Sequence, residues 1–531
     1  MSSGTASQVK PSRNCANCRA VKRRCDKQRP HCGQCIRTRE TCQGYRDEWE
    51  LVFRDQTSHT IKRSKAKTRS TESLALSAQA RSARQRQSPR APGDSPPQGL
   101  PPNLDDVGVS YFLHNFIRGG HSAAHGYLNY IPIVYSGDGE HPTLVASMAA
   151  VGLVALANAT RQPELVRHAR TRYSEAIQRV NTALSSPVES LKDSILMSII
   201  SLGVFEHVSN MQSWARHVQG AAALLVARGK SQFSSTAAIL MFSQIRTDLV
   251  FVCVHSHQPY PENMLALQEE AMKHVDCSRA IWQLGVLATR HVNLLYGVRK
   301  NEGEIPWTYY LEEANTLRRD FQDMLALLAV QEPYTTTRGT DGDPEIFYNG
   351  RFDLYESTWA IRVWNNARML EMVFCNIMYY LLNKVLATDL APQMRAHVQL
   401  ELGQTFQVQA KLMDDMLATV PQGLGLISPS VDHCLTADRS STNVPGGFLL
   451  TWCLYTVGQS MVATSTMRQW VARRLRDIGQ YAGNAVALQL LDVIVQIDKI
   501  RLMEEGGGAA NKMVDSYDLH KSKLPSTAGH A

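Results

Sequence analysis

Cys15-Ala-Asn-Cys18-Arg-Ala-Val-Lys-Arg-Arg-Cys25-Asp-Lys-Gln-Arg-Pro-His-Cys32-Gly-Gln-Cys35-Ile-Arg-Thr-Arg-Glu-Thr-Cys42 is the stretch on which the reading of this chain turns. Its gaps run C-x2-C-x6-C, then six residues, then C-x2-C-x6-C, so the second half repeats the first at an offset of 17 residues. Zinc takes four tetrahedral ligands, and thiolates separated by two residues can chelate one ion from a tight turn. One four-cysteine site leaves two cysteines idle. Two ions need eight ligand positions, which six sulfurs fill when two of them bridge. Cys15, Cys18, Cys25, Cys32, Cys35 and Cys42 are therefore expected to hold two zinc ions. Six thiolates and two divalent ions sum to about −2, so a cationic shell should surround them. Arg19, Lys22, Arg23, Arg24, Lys27 and Arg29 supply it. The competing reading, a disulfide scaffold, belongs to secreted chains, and residues 1–14 are polar, without the apolar core of a signal peptide.

The run Cys18-Arg19-Ala20-Val21-Lys22-Arg23-Arg24-Cys25-Asp26, with Pro30 two residues before Cys32, resembles the fungal zinc binuclear cluster family of transcription factors. The resemblance implies that Cys15 and Cys32 bridge and that each half carries a short helix, the first entering the DNA major groove at its end. Lys22, four positions after the second cysteine, matches the family lysine that reads a CGG triplet. Arg24 replaces a usual lysine without loss of charge, and Val21 stands where the family usually has a second basic residue. Arg19, Lys22, Arg23 and Arg24 are the expected DNA contacts. The implied function is a nuclear, sequence-specific regulator of RNA polymerase II genes, with CGG-type half-sites and the transcription machinery or co-regulators as partners.

Charge is uneven along the 531 residues: residues 1–90 hold 21 Lys+Arg against 7 Asp+Glu, and the rest hold 35 against 41. A basic head and a mildly acidic body fit a nucleic-acid module joined to a domain that must not adhere to DNA. The unpaired spacing of Cys253, Cys277, Cys375, Cys434 and Cys453 reads as buried thiols of a reducing compartment. Two uncharged stretches, Thr143–Thr160 and Ser440–Met467, read as buried helices rather than membrane spans. The first is rich in Ala, Gly and Ser and the second is broken by polar residues.

Residues 1–14 read as a flexible leader, 15–45 as the zinc cluster and 46–104 as a linker. No Phe, Tyr or Trp occurs from Asp55 to Ser110, while Ser, Arg, Gln and Pro accumulate, so this segment is expected to stay disordered. Ile61, Leu74 and Leu76 do not fall into an a/d heptad, which leaves a coiled-coil dimer unsupported and homodimerisation open. Trp49 and Phe53 stand four apart, suited to one helical face. Lys62-Arg63-Ser-Lys65-Ala-Lys67-Thr-Arg69 suits a nuclear-import signal or a phosphate contact.

From about Tyr111 the apolar period becomes helical. Leu165, Ala169, Tyr173, Ala176, Val180 and Leu184 follow Pro163; Leu191, Ile195, Ile199 and Leu202 follow Pro187; Trp214, Val218, Ala221 and Leu225 stop at Gly229. Leu317, Phe321, Met324 and Leu328 form a later ladder, as do Val486, Leu490, Val493, Ile497 and Ile500. Residues 105–503 are expected to be an all-α domain with long loops at Gln331–Gly350 and Pro421–Gly446, followed by a soft tail at 504–531. Within it, Trp214-x-x-His217-x-x-Gly220-Ala221-x-x-Leu224-x3-Arg228-Gly229 resembles a recurrent stretch of the fungal-specific transcription factor regulatory domain, which restrains or relays activation. Gly220 suits a close helix contact, and His217 a cap or packing role.

Catalytic constellations are scarce. Gly423-Leu-Gly425 lacks the third glycine of a phosphate loop, and Cys253, His255 and His257 are two apart, facing different ways on a helix. Glu269-Glu270 and Asp414-Asp415 read as solvated helix faces. The sequence is that of a mainly α, non-enzymatic regulator. The alternative is a helical small-molecule sensor or enzyme targeted to chromatin by its head. Trp359, Trp364, Met369 and Met372 are the residues suited to an effector cavity.

Overall fold

The computed structural model describes residues 14–26, 28, 31–42, 103–119, 126–138, 141–301, 303–338, 343–427 and 444–506. Two compact units divide the chain, Met1–Leu100 and Pro101–Ala531. Trp49, Phe53, the heptad candidates and the basic run Lys62–Arg69 lie outside the described residues, as does most of the expected linker.

In the first unit, helices α1 (Ala16–Ala20) and α2 (Gly33–Arg37) stand at equivalent points of the repeat. Each begins behind a cysteine whose sulfur accepts from the N–H three residues on. Cys18 N–H reaches Cys15 Sγ at 3.5 Å, and Cys35 N–H reaches Cys32 Sγ at 3.3 Å. Each also ends alike. Lys22 (φ 50°) and Arg39 (φ 54°) are left-handed, and the next N–H closes the turn, Arg23 to Cys18 O at 3.0 Å and Glu40 to Cys35 O at 2.9 Å. These are the 6→1 bonds of a Schellman cap, so the repeat in sequence is a repeat of backbone.

The second unit is helical throughout most of its described length, as the ladders imply. Its helices are α3 (Leu104–Phe116), α4 (Ile131–Asp138), α5 (Pro142–Thr160), α6 (Pro163–Leu184), α7 (Asp193–Ser209), α8 (Trp214–Arg228), α9 (Thr236–Ser256), α10 (Glu262–Ala271), α11 (Ala280–Lys300), α12 (Trp307–Gln331), α13 (Thr358–Leu386), α14 (Pro392–Leu417), α15 (Val420–Gly423), α16 (Val444–Gln459), α17 (Ser465–Tyr481) and α18 (Ala485–Gly506). Pro163 opens α6 and Gly229, at φ 69°, ends α8. Leu191 lies in a short 3-10 turn instead of an α-helix, and it, Leu184 and Ile500 are the exposed members of these ladders.

Helix α5 packs against α3, α6 and α7. Its small residues permit this: a Cβ on Gly152 would lie 1.8 Å from Gly108 O of α3. The same crossing corrects one expectation. Disorder was expected as far as Ser110, yet α3 starts at Leu104, capped by Asn103 Oδ1, which accepts from the Asp105 N–H at 3.1 Å. Gly108, Phe112 and Phe116 are buried on that helix, and this burial offsets its ordering entropy. Helices α5, α9 and α13 are long and apolar enough to cross a membrane, but 72%, 56% and 56% of their most apolar windows are buried inside the protein. Ser440–Met467 is not one helix, because α16 ends at Gln459.

The larger core lies around α13, whose buried Ile361, Ile377, Met378 and Leu382 pack in one cluster with residues of α11, α12, α14 and α16–α18. Two small antiparallel pairs join the helices: β1 (Arg118–Gly119) with β2 (Gly126–Tyr127), and β3 (Tyr334–Arg338) with β4 (Arg351–Tyr355). The second pair replaces part of the loop expected at Gln331–Gly350. It is pinned by Asp353, wholly buried, which accepts from Thr336 Oγ1 at 2.8 Å and pairs with Arg351 at 3.0 Å. Arg351 also pairs with Asp415 at 2.6 Å, and Lys411 reaches the same carboxylate at 2.6 Å. Asp415 is therefore a buried anchor, not the solvated helix-face residue its neighbourhood with Asp414 suggested. In the loop expected at Pro421–Gly446, residues 420–423 are helical, Leu424, Leu426 and Ile427 are buried, and 428–443 lie outside the described residues.

Candidate metal centre and nucleic-acid interface

The two helix starts bring Cys15 and Cys32 together, Sγ to Sγ, at 3.5 Å. Cys15 lies 3.8 Å from Cys35, and Cys18 lies 3.7 Å from Cys32. The ligand atoms of Cys15, Cys18, Cys32 and Cys35 all fall within 4.8 Å of one another, and Cys32 also groups with Cys25 and Asp26. Cys42 is buried in the same cluster, with Cys25 packed against it. No disulfide forms among the ten described cysteines.

This donor set fits zinc. A tetrahedron built on bonds of ~2.3 Å has edges of ~3.8 Å, which is the spacing of these sulfurs and far longer than an S–S bond. The sulfurs are covered by only a thin shell of protein. Even so, burial pushes the Cys32 thiol up to about 12 and Cys15 higher still. Zinc held by these sulfurs would supply the positive charge that keeps them deprotonated, and the fold of the finger would then depend on the metal.

Arg23 faces the sulfurs. Its Nε donates to Cys18 Sγ at 3.4 Å and its Nη2 to Cys35 Sγ at 3.5 Å. The same guanidinium pairs with Glu40 through both of its terminal nitrogens, one at 3.2 Å. Arg23 thereby holds the Glu40 carboxyl below its usual range. One side chain thus spans both halves and adds positive charge where the thiolates gather. Asp26 serves a parallel purpose at the entrance to the second half, where its Oδ1 accepts from the Gly33 N–H at 3.0 Å. Neither Asp26 nor Glu40 was expected as a site residue, because sequence gives no partner for a lone acid among bases.

Lys22 and Arg24 are exposed. Lys22 sits at the left-handed residue that ends α1, so its side chain leaves the finger where the helix stops. Val21 beside it is 61% exposed. Arg19 lies in α1, and its side chain is outside the described residues. Of the four basic residues expected at DNA, Lys22 and Arg24 face solvent and Arg23 faces the sulfurs.

In the second unit His217 packs: its Nε2 lies 2.8 Å from Tyr173 Oη, which donates to Glu206 at 2.6 Å. Gly220 is exposed, and a Cβ there would meet nothing within 4 Å, so it makes no close helix contact. His255 Nδ1 donates to Phe251 O at 2.7 Å, and His257 is the left-handed residue ending α9. Among the described residues only the cysteine groups at the head gather as metal ligands. Met369 and Met372 line a cavity; Trp364 instead donates its indole N–H to Glu332 O at 2.7 Å, and Trp359 stacks near Arg362.

Comparison with known proteins agrees with this geometry. The fungal Zn(2)-Cys(6) binuclear cluster domain matches residues 13–49, and the fungal specific transcription factor domain matches residues 112–256, from within α3 to the end of α9. No curated protein and no solved structure matches the chain. A sulfur cage with zinc-like spacing, in one chain with a helical body that carries a fungal specific transcription factor domain, supports a DNA-binding transcription factor.

Proposed function

We propose that this chain regulates RNA polymerase II genes in the nucleus by reading a CGG-type triplet through Lys22. Cys15, Cys18, Cys25, Cys32, Cys35 and Cys42 hold two zinc ions, with Cys15 and Cys32 as the bridging pair. The observation that carries the reading is the placement of Lys22, an exposed lysine at the left-handed end of a helix whose other end is fixed to the sulfur cage. A lysine ammonium on a stiff finger can donate to guanine O6 and N7 in the major groove. Arg24 and Arg19 would hold phosphates, which fixes register without reading bases. Arg23 braces the cage instead of joining them. The central position of the Cys15–Cys32 pair, each sulfur neighbouring sulfurs of both halves, supports bridging. The helical body is the regulatory part and carries out no catalytic step.

Selection of preferred sites from random DNA by the full zinc-loaded chain tests the proposal. Enrichment of CGG triplets, with affinity falling steeply as salt rises, is the expected result. Enrichment of no sequence, or of sites without CGG, overturns it.

A further inference from the structure

The body contains two adjoining chambers walled by α9, α13 and α16, of about 400 Å³ and about 100 Å³. They share Thr247, Phe251, His255, Asn366, Met369 and Trp452 as a partition. The larger chamber falls within the ~300–1,000 Å³ of small-molecule sites, and its walls are mostly aliphatic, aromatic and methionine side chains.

Three polar groups face this space without a protein partner. The Trp452 indole N–H donates to His207 Nδ1 at 3.4 Å, which places the imidazole proton on Nε2. That Nε2–H has no hydrogen-bond acceptor among the described residues, so it is a free donor. His255 is the converse. Its Nδ1–H is taken by Phe251 O, leaving the Nε2 lone pair as a free acceptor. Asn366, on the partition, makes no hydrogen bond among the described residues and offers both a donor and an acceptor. All three keep accessible surface although they stand among core helices. Burial lowers the basicity of both histidines, so both stay neutral at pH 7.

The charged groups are already engaged. Gln244 donates to both oxygens of Asp248, at 3.0 and 2.8 Å, and accepts from Arg362 at 3.0 Å, which links acid to base across the smaller chamber. Arg299 donates to Val254 O at 3.1 Å. A cationic ligand would find no carboxylate lining the larger chamber, and an anionic one would meet a single cation, Arg299, while losing its hydration among mostly apolar walls, at a large desolvation cost.

We infer that these chambers form a binding site for an uncharged, largely apolar, ring-containing small molecule bearing hydroxyl or carbonyl oxygens, held by His207, His255 and Asn366. The rings would lie against Phe251, Met369 and Trp452, and the oxygens would meet the three unpartnered polar groups. Leaving such groups without water or ligand is costly, which is what gives the site its preference for an oxygenated ligand.

The test uses the full zinc-loaded chain in equilibrium dialysis against 2-hydroxyfluorene, fluorene and fluorene-2-carboxylate. 2-Hydroxyfluorene should bind saturably, about tenfold more tightly than either of the others. Met369→Trp, which fills the partition, should abolish binding of all three. Asn366→Leu should erase the advantage of 2-hydroxyfluorene over fluorene and leave fluorene bound. Thermal unfolding of each variant shows that it is folded; if Met369→Trp is not, Asn366→Leu decides. Absence of saturable 2-hydroxyfluorene binding, tightest binding of the carboxylate, or wild-type binding by the folded variants overturns the proposal.

Discussion

Arg23 and Glu40 occupy the same position in the two halves of the cysteine finger, 17 residues apart, and they pair with each other. Every backbone feature around them is duplicated: the sulfur that caps each helix, the left-handed Lys22 and Arg39, the closing bond to Cys18 O and Cys35 O. Only the charge is reversed. The repeat therefore places a cation and an anion at matching sites, and the cation also reaches a sulfur on each side.

Arg23→Ala should loosen the metal. Groups that bond to metal ligands typically change affinity by about 10–100-fold, and zinc released to a colorimetric chelator should appear at correspondingly lower chelator concentration. Glu40→Gln should have a smaller effect, because an exposed ion pair contributes little by itself. Equal zinc retention by wild type and Arg23→Ala would contradict the bracing role.

Lys22→Ala should weaken binding to the selected site by about 1–3 kcal/mol and relax preference at one base pair. Arg24→Ala should weaken binding to all sequences alike and reduce the slope of affinity against salt. Titration of matched and scrambled duplexes at two salt concentrations separates the two. An equal loss for Lys22→Ala on scrambled DNA would remove it as a base reader.

Chelation should release close to two zinc ions per chain and unfold the head, while the cooperative thermal transition of the helical body stays where it was. The two measurements are metal analysis of the dialysate and calorimetry. One ion per chain would point to a single four-sulfur site.

Two glycines should behave oppositely. Gly152→Ala places a methyl against Gly108 O and should destabilise the body by ~1–3 kcal/mol or more. Gly220→Ala adds a methyl to open space on an exposed face of α8 and should stabilise it by ~0.5–1 kcal/mol. Chemical unfolding of both variants checks the pair of signs.

Burial raises Asp248 to about 6 from an ordinary 3.8. Between those values the folded state binds more protons than the unfolded one, so this residue's contribution falls as pH rises from about 4 to about 6 and is constant above. Asp248→Asn should therefore stabilise the protein more at pH 7 than at pH 4, by up to about 3 kcal/mol. Unfolding midpoints of variant and wild type across that range measure the difference.

The cysteine spacing carried the zinc reading because ligand geometry is local: two residues between thiolates is a turn, whatever the surroundings. Pro163 and Gly229 marked helix ends for the same reason. What the sequence hid depended on distant partners. Arg23 looks like its neighbours Lys22 and Arg24, and only Glu40 and two sulfurs show that it turns inward. Asp415 looks solvated until Arg351 arrives from 64 residues away. Strands Tyr334–Arg338 and Arg351–Tyr355 lack clean alternation because buried Asp353, a residue poor in strand propensity, is their anchor. The chambers are invisible in sequence, since Phe251, Met369 and Trp452 serve equally well as packing.

The mating of unlike charges at twin positions makes the finger lopsided by construction. A protein assembled from two copies of the first half would set guanidinium against guanidinium, and one from two copies of the second would set carboxylate against carboxylate. Neither could form the Arg23–Glu40 pair that ties the two halves of this chain. The two halves are bound to different trades, one presenting a lysine outward while the other supplies its ballast.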